Sequence, residues 1–147
     1  AQELYDSCME VWPNMDVGCC VAAVCDFRPD PHGPGKFKKT EASDGLDISF
    51  LPNPDTLLSL GKSKSDGQQL IGFAAETSNI EQHLAGKLAR KNADLMVGNI
   101  VGNRDTGFQS ANNAVTVLDA QGRMETWPVL AKTEIAWRVW DWLKALS

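Results

Sequence analysis

The sequence predicts an α/β fold in which helices flank a largely parallel sheet that ends in a hairpin and a last helix. Three observations predict it. Apolar runs of strand length recur without polar alternation, as in strands covered on both faces. Helical patterns separate those runs, and strand–helix alternation gives a parallel sheet. Beyond residue 112 the pattern changes to strand-like alternation around a turn, which signals an antiparallel hairpin.

Residues Gln2 to Val11 read as a helix with Leu4, Cys8 and Val11 on one buried face, ended by Pro13 and Asn14. The run Met15 to Val24 reads as a strand buried on both sides. Arg28 to Gly35 holds three prolines and two glycines in eight residues, so a loop is expected there. That loop delivers the cluster Lys36-Phe37-Lys38-Lys39. A short helix follows Asn53-Pro54-Asp55, over about Thr56 to Lys62, with Leu57, Leu58 and Leu60 inward.

Gln69 to Ala75 is the second buried strand. Ser78 and Glu81 have the spacing of a capping box before the strongest helix. Its core stripe is Ile80, Leu84 and Leu88, while Lys87 and Lys91 share another face. Asp94 to Gly98 forms a third strand. Asn113 to Leu118 and Met124 to Leu130 pair around the turn residues Asp119 to Arg123. The last helix spans about Thr133 to Leu146, with Ile135, Val139, Leu143 and Leu146 apolar. Trp137 and Trp140 fall off that stripe, as side packing or a subunit contact. No repeat or linker divides residues 1–147, which read as one α/β unit.

A net charge of -5 argues against a general nucleic-acid binder, and no apolar run reaches membrane-span length. Cys8, Cys19, Cys20 and Cys25 form no C-x-x-C pair and lie in or near apolar sequence, so buried structural thiols in a reducing cytoplasm are expected. Two cationic clusters, one in the Gly/Pro-rich loop and one at Lys87, Arg90 and Lys91, suit a small anionic ligand. Ligands of open parallel sheets gather at the carboxyl ends of the strands, where Asp26, Glu76, Thr77 and Asn99 fall. No GxxxxGK[ST] or GxGxxG phosphate cradle is present, nor a Ser-His-Asp or Cys-His set on one recognisable scaffold.

Ala22-Ala23-Val24-Cys25-Asp26-Phe27-Arg28-Pro29 resembles the AAVADYRP motif of bacterial phosphopantothenoylcysteine synthetases. Lys36-Phe37-Lys38-Lys39 is similar to their KIKK loop, and Asn53-Pro54-Asp55 to their KNPDI segment. Gly72 to Thr77 matches GFAAET, and Lys87 to Leu95 resembles KLxRKxxDL. Gly107-Phe108 with Asn113-Ala114-Val115 resembles GFxSxxNxV. These motifs run in family order along nearly the whole chain.

The resemblance implies a three-layer Rossmann-like sheet, with the family's N-terminal strands lying outside this chain. It implies a cytoplasmic homodimer that joins 4'-phosphopantothenate to L-cysteine with CTP, through an acyl-cytidylate. A magnesium ion would accompany CTP, and no flavin is expected. Carried over residue by residue, Lys36 would cover the activated intermediate and is the catalytic candidate. Ala22 and Ala23 would line the nucleotide pocket, and Asp26 would bind the nucleotide. Asn53, Pro54 and Asp55 would bound the cytosine and ribose, Phe73 would pack on the nucleotide, and Lys87 and Lys91 would meet the triphosphate.

Three positions depart from the family pattern: Cys25 for alanine, Pro52 for lysine, and Ile100 for an aspartate. The family's N-terminal segment, with its Gly-rich turn and an asparagine that contacts the intermediate, is also expected to be missing from this chain. A second expectation is therefore a truncated or paralogous nucleotide-binding domain that acts through a partner without catalysis.

Overall fold

The computed structural model describes residues 1–30, 47–76, 78–100 and 110–146. In order these form α1 (Gln2–Val11), a 3-10 turn (Trp12–Asn14), β1 (Val17–Cys20), β2 (Phe27–Pro29), β3 (Phe50–Pro52), α2 (Thr56–Lys62), β4 (Gln69–Glu76), α3 (Ile80–Lys91), β5 (Leu95–Ile100), β6 (Asn112–Asp119), β7 (Met124–Ala131) and α4 (Lys132–Lys144). The main sheet has five strands in the order β1-β4-β5-β6-β7. β1, β4 and β5 are parallel, in register Gly18 with Leu70 and Gly72 with Met96. β6 and β7 continue the sheet antiparallel. β2 and β3 form a separate antiparallel ribbon.

Strand alternation divides the core into two faces. Ile71, Leu95, Val97, Val115 and Val117 pack against Ile135, Val139 and Leu143 of α4. Leu70, Ala74 and Met96 face the other way, toward the 3-10 turn, α2 and α3, where Trp12, Leu60 and Leu84 bury themselves. Helices cover both faces, as the sequence predicts.

The close approach of α2 and α3 requires glycine. A Cβ on Gly61 would lie 1.8 Å from the Lys91 carbonyl oxygen. Asn92 Nδ2 donates to the Gly61 carbonyl at 2.8 Å, and Trp12 Nε1 donates to the Leu60 carbonyl at 3.1 Å. The last turn of α2 is thereby fixed between α3 and the 3-10 turn, which in turn fixes where its first residues point.

Several expectations are corrected. The run Met15 to Val24 yields a strand of only four residues, at the sheet edge rather than buried on both sides. Among the described residues only β4 pairs with β1, and Val21 and Val24 beyond it are exposed. Leu4 and Val11 of α1 are exposed too, because Trp12, at 3% exposure, makes the buried contact that α1 was expected to make. Arg28 and Pro29 belong to β2, where an isolated ribbon tolerates the missing N–H of proline. α3 starts at Ile80 after Asn79 in a left-handed conformation, with no side-chain cap, so the Ser78–Glu81 spacing is out of phase by one residue.

The four cysteines are free thiols, but Cys19 and Cys25 are exposed and the other two half-buried. Burial pushes the Cys20 thiol up to about 11, with Cys8 and Cys19 adding to it. Trp137, at 69% exposure, and Trp140 lie outward, while Trp142 joins the core beside Trp127 at a 5.9 Å ring-centroid separation.

The hairpin is locked onto α4 by one carboxylate. Asp119 Oδ1 accepts from the backbone N–H groups of Gln121 and Arg123, at 3.1 and 2.9 Å. Its Oδ2 accepts from Arg123 Nε at 3.0 Å and from Trp142 Nε1 at 2.9 Å. The Arg123 guanidinium lies 4.2 Å from the centroid of the Trp142 ring. Burial opposes the charge on Asp119, but the Trp142 and Arg123 donors outweigh it and hold the carboxyl below its usual value. A depressed folded value means stability that is complete above the ordinary carboxylate range and is lost as pH falls through the folded value. Asp119→Asn is therefore expected to cost about 1–3 kcal/mol near neutral pH and to flatten the acid limb of stability. Urea unfolding followed from acid to neutral pH checks this, and an unchanged acid limb would contradict it.

Candidate functional site

Parallel pairing brings the carboxyl ends of β1, β4 and β5 together. The chain leaving β1 crosses over them as residues 21–26 and is pinned to the entrance of α2. Asn53 N donates to the Asp26 carbonyl at 2.7 Å, and Asn53 Nδ2 donates to the Cys25 carbonyl at 2.8 Å. Arg28 Nη1 completes the junction with bonds to the Pro52 carbonyl at 2.7 Å and to Asn53 Oδ1 at 3.2 Å. The Asn-Pro-Asp segment is thus a backbone-and-side-chain clasp between two loops.

A cavity of about 560 Å³ opens behind this clasp. It is lined by Ala22, Asp26 and Asn53-Pro54-Asp55 on one side, by Phe73 at the base, and by Lys87 and Lys91 from α3. Among the described residues, every carried-over site residue except Ala23 meets this cavity. Ala23 lines a neighbouring apolar cleft of about 500 Å³ between β1, β4 and α4, with Ile71, Val139 and Trp140. The two cavities share Cys19, Val21, Ala22 and Phe73. Lys36 lies outside the described residues.

Asp55 does two tasks. Its Oδ1 accepts from Leu58 N at 3.0 Å and caps α2, and its Oδ2 accepts from Lys91 Nζ. Lys91 is only 8% exposed. Burial pushes its ammonium below the ordinary lysine value, and the Asp26 carboxylate pulls it back up. One turn earlier, Lys87 Nζ donates to Glu76 Oε1 at 2.6 Å. His83 Nδ1 lies 2.9 Å from Glu76 Oε2. Burial disfavours the Glu76 charge, but Lys87 and then His83 outweigh it, and the carboxyl is held below its ordinary value.

The cavity therefore presents two ammonium groups on one helix face, each balanced by a carboxylate from another element. The lysine spacing is legible in the sequence. Their partners are not: Asp55 lies 36 residues from Lys91, and Glu76 lies 11 from Lys87. Arg90 also lines the cavity, as its place in the cationic cluster suggests. Among the described residues no group of three or more His, Cys, Asp or Glu is placed to hold a metal ion.

Fold and site together define an α/β protein with a polar cavity beyond the ends of parallel strands, its rim set by lysines and an Asn-Pro-Asp clasp. A family profile described as "DNA/pantothenate metabolism flavoprotein C-terminal domain" matches residues 1–146. The chain belongs to this family, and it corresponds to the C-terminal, synthetase part of the bifunctional proteins in which the family occurs. It is 34% identical over 146 residues to the coenzyme A biosynthesis bifunctional protein CoaBC of Vibrio vulnificus (strain YJ016), covering 99% of this chain and 36% of that protein. It is 33% identical to the Bacillus subtilis (strain 168) protein of the same name over 147 residues, covering 100% of this chain and 36% of that protein. The crystal structure of the C-terminal domain of a CoaBC protein superposes with a TM-score of 0.77 at 31% identity, over 99% of this chain and 62% of that one. The chain thus spans little more than a third of these curated relatives.

The double role of Asp55 is separable by mutation. Asp55→Ala removes both the cap and the partner of a buried ammonium, and is expected to cost about 2–4 kcal/mol. Asp55→Asn keeps the cap acceptor and is expected to cost less. Chemical unfolding of both variants checks the order, and equal losses would contradict it.

Proposed function

We propose that this chain is the nucleotide-binding part of a phosphopantothenate–cysteine ligase of coenzyme A biosynthesis that uses CTP. The observation that carries the reading is the convergence of Asp26, Asn53, Asp55, Phe73, Lys87 and Lys91 on one cavity. Family membership supplies the pathway, and the names of the relatives support it.

In the proposed reaction a carboxylate oxygen of 4'-phosphopantothenate attacks the α-phosphorus of CTP. The bond to the β-phosphate oxygen breaks and pyrophosphate leaves. The amine of cysteine then attacks the acyl carbon of the cytidylate, loses a proton, and CMP departs. Little covalent chemistry falls to the protein, so its contribution is positioning and charge. Lys87 and Lys91 would meet the phosphates, with Arg90 beside them. The Asn-Pro-Asp clasp, through Asn53 and Pro54, would bound the base and sugar. Phe73 would offer a face to the nucleotide, and the backbone at Ala22 and Ala23 would run along the border between the two cavities. Lys36 would be the loop lysine over the activated intermediate.

Magnesium fits this donor set as a companion of the nucleotide. It binds through one or two carboxylates plus phosphate oxygens, and Asp26 and Asp55 line the cavity. It would neutralise phosphate charge. A homodimer is supported by the β2–β3 ribbon, whose Phe27 and Phe50 are each 60% exposed. Among the described residues no helix is long and apolar enough to cross a membrane; a cytoplasmic setting is part of the proposal. Ile100, in place of the aspartate in the family pattern, favours the second reading of a nucleotide binder without turnover.

Calorimetric titration with CTP and magnesium tests the reading, with ATP as the competing nucleotide. Saturable binding that prefers CTP is expected, and Lys91→Ala and Lys87→Met are each expected to weaken it about tenfold or more. Binding of neither nucleotide to a folded chain would contradict the proposal. Binding without ligase activity in a full-length protein would favour the second reading.

A further inference from the structure

Glu76 has no place in the recognition scheme above, yet it is the nearest charge to a lysine that faces the phosphates. It is the last residue of β4, its side chain is only 12% exposed, and it does not line the cavity. Lys87 Nζ sits 2.6 Å from Glu76 Oε1. His83, one turn before Lys87 on α3, holds the other oxygen at 2.9 Å. With its proton on Nδ1, in the neutral tautomer or the imidazolium, His83 donates to that oxygen and anchors the carboxylate independently of Lys87.

This arrangement has a cost for an entering anion. A polyphosphate must draw Lys87 from an anchored carboxylate, or share the ammonium with it while the two anions repel. The geometry points to Glu76 as the affinity-limiting residue of the phosphate site: it holds Lys87, yields part of it to an entering polyphosphate, and takes it back as the anionic product leaves. The inference rests on the nucleotide reading and deepens it. Uniformly tight phosphate binding adds nothing to turnover once the site is filled, so a built-in counter-ion favours release of pyrophosphate. The Lys91–Asp55 pair is less suited to this task, because Asp55 also caps α2.

The test is a double-mutant cycle on the full chain, read by calorimetry at low salt with CTP and, separately, with inorganic tripolyphosphate. Glu76→Gln keeps the shape and removes the charge. It is expected to bind both probes about two- to fivefold tighter, the modest size reflecting solvent screening of a partly exposed pair. In a Lys87→Met background the same change is expected to give a clearly smaller gain, the part that comes from direct repulsion between the two anions. Should Glu76→Gln fail to fold, Glu76→Asp, one methylene shorter and so drawn back from Lys87, carries the test with a smaller gain. An unchanged or weaker affinity in a folded Glu76 variant overturns the inference, as does a gain that persists undiminished without Lys87. Binding of tripolyphosphate but not CTP would remove the nucleotide reading and leave the role of Glu76 to be decided by the cycle. A wild-type chain that binds neither probe overturns both.

Discussion

The buried Lys91 ammonium is the constraint on which the site depends. It lies where the end of α3 meets the start of α2, and Asp55 is its partner. A buried ion pair of this kind contributes little that well-packed apolar side chains would not, while removal of one partner is strongly destabilising. Stability alone therefore does not explain its presence. The proposed nucleotide, which needs a positive charge at that place, would. The surroundings serve the same end, since Gly61 permits the contact and Asn92 closes it.

From that point the geometry propagates outward. Helical periodicity sends Leu84 and Leu88 toward the sheet and leaves Lys87 and Lys91 one turn apart toward the cavity. Parallel strands set their carboxyl ends side by side, so the segment after β1 can reach Asn53. The result is a site nearly balanced in charge, with its positive groups held by carboxylates on β4 and α2. Phe73 stands between this polar cavity and the apolar cleft under α4.

The sequence made the strands β4 and β5, the hairpin and helices α2 to α4 legible, because each carries a clear period and clear stops. It misled at β1 and α1. An unbroken apolar run suits a central strand, but burial depends on neighbours that the run itself does not specify. Trp12 took the contact expected of Leu4 and Val11, a choice set by shape rather than period. Trp142 was missed for a similar reason: its indole N–H reaches Asp119 across the hairpin, and no local pattern encodes that. At the site, the lysine pair and the Asn-Pro-Asp segment were readable as motifs. Their carboxylate partners come from other elements and became visible only once the chain was folded.

The most direct test of the central claim is an amide nitrogen–proton NMR titration of the chain with CTP and magnesium. The account predicts that the largest shifts fall on residues 53–57, on Phe73 and along the second half of α3, in one connected patch around Lys91. Shifts confined to Val17, Ile135 and Val139, in the apolar cleft, would place the nucleotide elsewhere and contradict it.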